Sequence, residues 1–120
     1  MVLWGQKAGG VKILSPREVY ERTQHDSDVV LIDVRTDGEY NAELGHVAGT
    51  ILLPVQQLEA RVGELEKYKS KTIIAICRSG NRSGKAAEFL SQRGFDVFNM
   101  AGGMIRWNQE NLPAIKGPQK

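Results

Sequence analysis

Cysteine occurs once in the 120 residues, as Cys77. That excludes an intrachain disulfide, a CxxC redox pair and a zinc site built from several cysteines. Neither sign of charge prevails: 16 Lys+Arg face 14 Asp+Glu, and a net +2 is too small for a nucleic-acid footprint. No apolar run approaches the roughly 18 residues of a membrane span, and Met1 to Gly10 has no hydrophobic stretch of signal-peptide length. The only two histidines, His25 and His46, lie far apart and offer no paired metal ligands. The expectation is one cytoplasmic domain, monomeric, with no metal, no organic cofactor, and neither nucleic acid nor membrane as partner. A chain of this mass can bury about two-thirds of its surface, so a conventional core needs no staples.

What is present alternates between two periodicities. Val11 to Leu14, Val29 to Ile32 and Thr72 to Ile76 are apolar, and the last two are β-branched without polar alternation, as strands buried on both faces tend to be. Thr50 to Leu53 and Asp96 to Asn99 are shorter candidates. Between them fall helical stretches. Ser15-Pro16-Arg17-Glu18 has the form of a capping box and predicts a helix to about Gln24. A second helix is expected from Pro54, with Leu58, Val62 and Leu65 on one face. A third, Ser83 to Arg93, carries Ala86, Ala87 and Leu90 at helical spacing and stops at Gly94. Strands alternating with helices predict an α/β fold on a mainly parallel sheet. The first ten residues are expected to be a loose lead-in, and 116–120 a polar tail.

The segment Cys77-Arg78-Ser79-Gly80-Asn81-Arg82-Ser83 carries the chemistry. It follows a buried strand and precedes a helix, the place where open α/β sheets bind ligands. Loop N–H groups and the helix N-terminus would converge there on negative charge. A lone cysteine after an apolar strand is often only a small hydrophobe. Two arginines, a glycine and a helix-starting serine within six residues have no core-packing purpose, and they favour a nucleophile. Gly80 and Gly84 also have plain uses, tight turning and close helix packing.

Only four residues separate Cys77 from Arg82, whereas cysteine phosphatases place five between their cysteine and arginine. The smaller loop suits an extra sulfur atom better than a phosphoryl group. Four landmarks stand in order: Leu31-Ile-Asp33-Val-Arg35 with Glu39-Tyr40, Gly45-His46 through Gly49 to Pro54, the Cys77 loop, and Met100-Ala-Gly102-Gly103 through Trp107. With these the chain resembles the rhodanese-like family, specifically single-domain sulfurtransferases, over about 13–113. Ala48 and Thr50 stand where the family often has proline and alanine.

The resemblance implies a rhodanese-like fold, a central, mainly parallel five-stranded sheet with helices on both faces, as one domain across 1–120. It implies that Cys77 takes the outer sulfur of thiosulfate or a persulfide donor and passes it to a thiol, a protein cysteine or, in assay, cyanide. Arg78, Ser79, Gly80, Asn81, Arg82 and Ser83 would form the persulfide-binding loop, with Arg78 on the sulfonate end of the donor. Asp33 and Arg35 are expected near the site in supporting roles, Arg35 pairing with an acid such as Glu39. His46 is expected to be a hydrogen-bonded loop residue and Trp107 a packing residue. The alternatives are a non-catalytic sulfur-relay or protein-binding module and, on the same fold, a phosphatase or arsenate reductase.

Overall fold

The computed structural model describes residues 6–8 and 11–116. Five parallel strands form the sheet: β2 (Val11–Leu14), β3 (Val29–Asp33), β4 (Ile51–Leu52), β5 (Thr72–Ile76) and β6 (Asp96–Met100). A sixth, β1 (Gln6–Ala8), adds antiparallel to β2, giving the order β1-β2-β6-β5-β3-β4. Within the lead-in expected over 1–10, Gln6–Ala8 form this strand, and β1 pairs along the edge that β2 would otherwise leave open. The rest of that lead-in, and 117–120 of the tail, lie outside the described residues.

Helices α1 (Pro16–His25), α2 (Asp37–Tyr40), α3 (Val55–Arg61), α4 (Asn81–Gln92) and α5 (Gly103–Gln109) join the strands, and a 3₁₀ segment, Val62–Tyr68, continues α3. The capping box at Ser15 is formed: its hydroxyl accepts from Glu18 N at 3.1 Å, and the Glu18 carboxylate accepts from Ser15 N at 2.8 Å. Thr36 and Glu39 repeat that device at α2, a helix the hydrophobic pattern does not announce.

Alternation along β5 explains its continuous apolar run. Ile74 and Ile76 enter a core with Val19, Met104 and Trp107 on the α1/α5 face. Ile73, Ala75 and Cys77 enter the other, with Leu58, Leu65, Ala86 and Leu90. Cys77 therefore leaves the strand end pointing toward α4. Among the described residues no helix is long and apolar enough to cross a membrane.

Candidate active site

β5 ends at Ile76, and the chain turns at once through Cys77 to Gly80 into α4. The helix starts at Asn81, two residues before the expected Ser83, because Gly80 takes φ +104° and reverses the chain early. Gly80 is the N-cap and supplies no side chain, so capping by a hydroxyl is absent. The N–H groups of Asn81, Arg82 and Ser83 precede the first helical bond, Gly84 N to Gly80 O at 3.0 Å. They are free to face an anion, and the helix dipole adds to that preference.

The outward-facing carbonyls of the loop are already engaged. Met104 N donates to Cys77 O at 2.9 Å and Ile105 N to Arg78 O at 3.0 Å, both from the first turn of α5. This contact explains Gly103. A Cβ on Gly103 (φ +58°) would lie 2.4 Å from Arg78 O and 2.5 Å from Cys77 O. With these carbonyls tied to α5, the loop N–H that reaches the sulfur is that of Gly80.

Cys77 is buried, the residue 1% exposed. Gly80 N donates to Sγ at 3.0 Å, and the Ser83 hydroxyl lies 3.2 Å from it. Gly80 N is thus a fixed donor to the sulfur, and the Ser83 hydroxyl lies within reach as a second. The Ser83 hydroxyl is also 2.5 Å from Asn99 Oδ1, and Asn99 Nδ2 donates to Gly80 O at 3.0 Å. Asn99, on β6, thus touches both groups that hold the sulfur. No local pattern signals this, because the contact arises only when β6 pairs beside β5, with Ala75 opposite Asn99.

Arg78 and Ser79 are exposed at the rim, as is Asn81. Arg78 lines a small cleft with Arg35, Glu39, Ala42, Glu43 and Leu44. Arg82 is committed elsewhere. Its Nη1 and Nη2 bond Glu39 Oε1 and Oε2 at 2.8 and 2.7 Å. The Arg82 hydrogen bonds hold the Glu39 carboxyl down to about 2 against the usual 4.5, outweighing the opposing effect of burial.

The expected pairing of Arg35 with the Glu39 carboxylate is therefore corrected. Arg35 folds back onto Asp33, with Nε–Oδ1 at 2.9 Å and Nη2–Oδ2 at 2.8 Å, and donates to the carbonyls of Glu39 and Gly45. Asp33 also accepts from Arg35 N at 3.1 Å. Both side chains are buried, and together they brace the segment from the end of β3 to Gly45. The Arg35 guanidinium is taken up by Asp33 and by the carbonyls of Glu39 and Gly45, while Arg82, in the first turn of α4, reaches the Glu39 carboxylate of α2. His46 bonds Tyr40 O through Nδ1 at 2.9 Å and stacks on the Tyr40 ring. Trp107 is buried, with Nε1 on Pro113 O at 2.9 Å. Among the described residues no group of three or more His, Cys, Asp or Glu gathers as metal ligands.

Comparison with known proteins places this geometry. The family model for the rhodanese-like domain matches residues 15–110. The uncharacterized protein YibN of Escherichia coli (strain K12) is 37% identical over 109 residues, covering 89% of this chain and 74% of that one. The thiosulfate sulfurtransferase PspE of the same strain is 34% identical over 86 residues, covering 72% of this chain and 78% of its own length. The crystal structure of a rhodanese-related protein from Thermoplasma volcanium superposes with a TM-score of 0.76 at 31% identity, covering 86% of this chain and 96% of that one. The chain belongs to the rhodanese-like family.

Proposed function

We propose that this rhodanese-like protein is a sulfurtransferase that carries one sulfur atom on Cys77, taking it from thiosulfate or a persulfide donor. The observation that carries the reading is the Cys77 sulfur held by Gly80 N and Ser83 Oγ beside the N-terminus of α4. In the first half-reaction the Cys77 thiolate attacks the outer sulfur of thiosulfate. The Cys77–sulfur bond forms, the bond to the sulfonate sulfur breaks, and its electron pair leaves with sulfite. The persulfide anion is the covalent intermediate. Its charge lies on the outer sulfur, within reach of the N–H groups of the loop and of the α4 N-terminus, which act as an oxyanion hole does for oxygen. Arg78, exposed at the rim, is the group suited to the sulfonate end of the donor. In the second half-reaction a thiol, a protein cysteine or, in assay, cyanide attacks the outer sulfur and regenerates the thiolate.

The neutralisation of Arg82 by Glu39 argues against phosphoryl transfer. A phosphatase needs its loop arginine on the phosphoryl oxygens, and here both terminal nitrogens hold a carboxylate. The reading is tested by thiocyanate formation from thiosulfate and cyanide. Wild type should turn over and Cys77→Ser should not. Equal rates for the two would remove Cys77 from the mechanism. Sulfur uptake from a donor protein without thiosulfate turnover would assign the chain a relay role, and hydrolysis of an aryl phosphate would restore the phosphatase alternative.

A further inference from the structure

The Ser83 hydroxyl has one proton and two acceptors. Cys77 Sγ lies 3.2 Å from its oxygen and Asn99 Oδ1 lies 2.5 Å away. The Asn99 amide cannot turn over to relieve that competition. Its Nδ2 donates to Gly80 O at 3.0 Å, and a flipped amide would set oxygen against oxygen there and leave its Nδ2 hydrogens facing Ser83. Gly84 closes the remaining space, since even a Cβ at that position would come within 3.2 Å of Asn99 Nδ2. Asn99 Oδ1 is therefore fixed on the Ser83 hydroxyl.

We propose that Asn99 is a positioning residue that draws the Ser83 proton away from Cys77 whenever Sγ is neutral, and so favours the sulfur-loaded over the sulfur-free state. The proposal rests on the sulfur-carrier reading above. In the sulfur-free thiolate the negative charge is on Sγ, and the Ser83 O–H turns to it at the expense of Asn99. On loading, Sγ becomes the neutral inner atom of the persulfide, and the charge moves to the outer sulfur, toward the N–H groups of the loop. The Ser83 proton then returns to Asn99 Oδ1. That regained hydrogen bond exists in the loaded state and is missing in the thiolate, so Asn99 biases the exchange with thiosulfate and sulfite toward loading.

Other groups act on the same sulfur. Arg78 stands on the loop and Arg82 on α4, with Glu39 of α2 paired to the latter. Asp33 and Arg35 neutralise one another at the end of β3. β6 contributes Asn99, which carries no charge, and the first turn of α5 contributes the backbone donors at Met104 and Ile105. Ser83 is thus the side chain among these that changes its partner as the sulfur changes charge, and Asn99 is the fixed, uncharged acceptor it changes to.

The test crosses Asn99→Ala with Ser83→Ala, each confirmed folded by circular dichroism, and reads ultraviolet thiolate absorbance at one fixed neutral pH. With Ser83 present, loss of Asn99 should raise the thiolate-to-thiol ratio about fivefold, the worth of one neutral hydrogen bond. In the Ser83→Ala background the same change should leave the ratio within about twofold. Equal shifts in both backgrounds, or none in either, would overturn the proposal and leave Asn99 a packing residue. The loading equilibrium, read by intact mass across thiosulfate-to-sulfite ratios, should fall about fivefold in Asn99→Ala and show the same dependence on Ser83. A wild type that never loads from thiosulfate would sink the carrier reading, while the absorbance cycle would still decide whether Asn99 acts on Cys77 through Ser83.

Discussion

Arg82 on α4 and Glu39 on α2, 43 positions apart in the chain, form a two-point ion pair with both nitrogen–oxygen distances under 3 Å, at 2.8 and 2.7 Å. The pair pins the first turn of the helix that points at Cys77 to the segment after β3. It also leaves Arg78 as the cation at the rim that no described partner occupies. Breaking it from one side has a consequence beyond lost bracing. In Arg82→Ala the Glu39 carboxylate stands unpaired beside the path of an anionic donor, and like charges so placed repel. The expected result is a rise in KM for thiosulfate of about tenfold, with Glu39→Gln added to Arg82→Ala recovering part of it. A double variant no better than the single one would assign the pair to bracing alone.

The same pair makes stability depend on acid. The Arg82 guanidinium holds the folded Glu39 carboxyl down to about 2, below its usual 4.5, so the folded state holds fewer protons between those values than the unfolded chain. Its contribution is complete above about pH 4.5 and is lost as pH falls toward about 2. Thermal melts of wild type and Glu39→Gln should therefore differ at neutral pH and converge on acidification across that window. Parallel curves throughout would place the acid sensitivity elsewhere. The Glu39 side chain is 30% exposed, so salt should shrink the difference.

Gly103→Ala should disable the loop without touching the sulfur. The new methyl group would overlap the Cys77 and Arg78 carbonyls at 2.5 and 2.4 Å, in a backbone conformation that itself disfavours a side chain. The conformational cost alone is about 1–3 kcal/mol, and relief of the overlap means retreat of α5 from the loop. Tm should fall and thiosulfate turnover should fall further than the folded fraction explains. Unchanged turnover would mean that the α5 contacts do not set the position of the loop.

How far the sequence foretold this depended on the range of each contact. The Ser15 capping box closes within four residues, and its helix appears with the expected start. The five parallel strands were legible because each is a short apolar run with its own boundaries. Glycines 102 and 103 announced a turn, but the Cys77 and Arg78 carbonyls for which Gly103 makes room follow β5, the strand beside β6 and distant from it in sequence. Arg82 was visible as a loop cation, while its partner was assigned to Arg35, since no local rule decides which of two arginines reaches a distant acid. Asn99 was not legible at all. Within its strand it is only a half-buried polar residue at the strand end, and it becomes part of the site through the pairing of β6 with β5.

Asp33 and Arg35 lie fully buried, at 0% and 1% exposure. Asp33→Ala would leave the guanidinium enclosed without its counter-charge, which costs about 3–5 kcal/mol. For a domain of this size that lowers Tm by about 15 °C or more. Calorimetry at neutral pH checks it, and a shift of only a few degrees would show that the two buried charges are replaceable from the carbonyls of Glu39 and Gly45.

The central claim is that Cys77 holds the transferred sulfur. Intact mass of the protein after brief incubation with thiosulfate and removal of excess donor tests it most directly. The expected result is a gain of about 32 Da, one sulfur atom in a reversible persulfide, located on the Cys77 peptide, absent in Cys77→Ser and erased by cyanide. An unchanged mass in wild type, or the same gain in Cys77→Ser, would contradict the account.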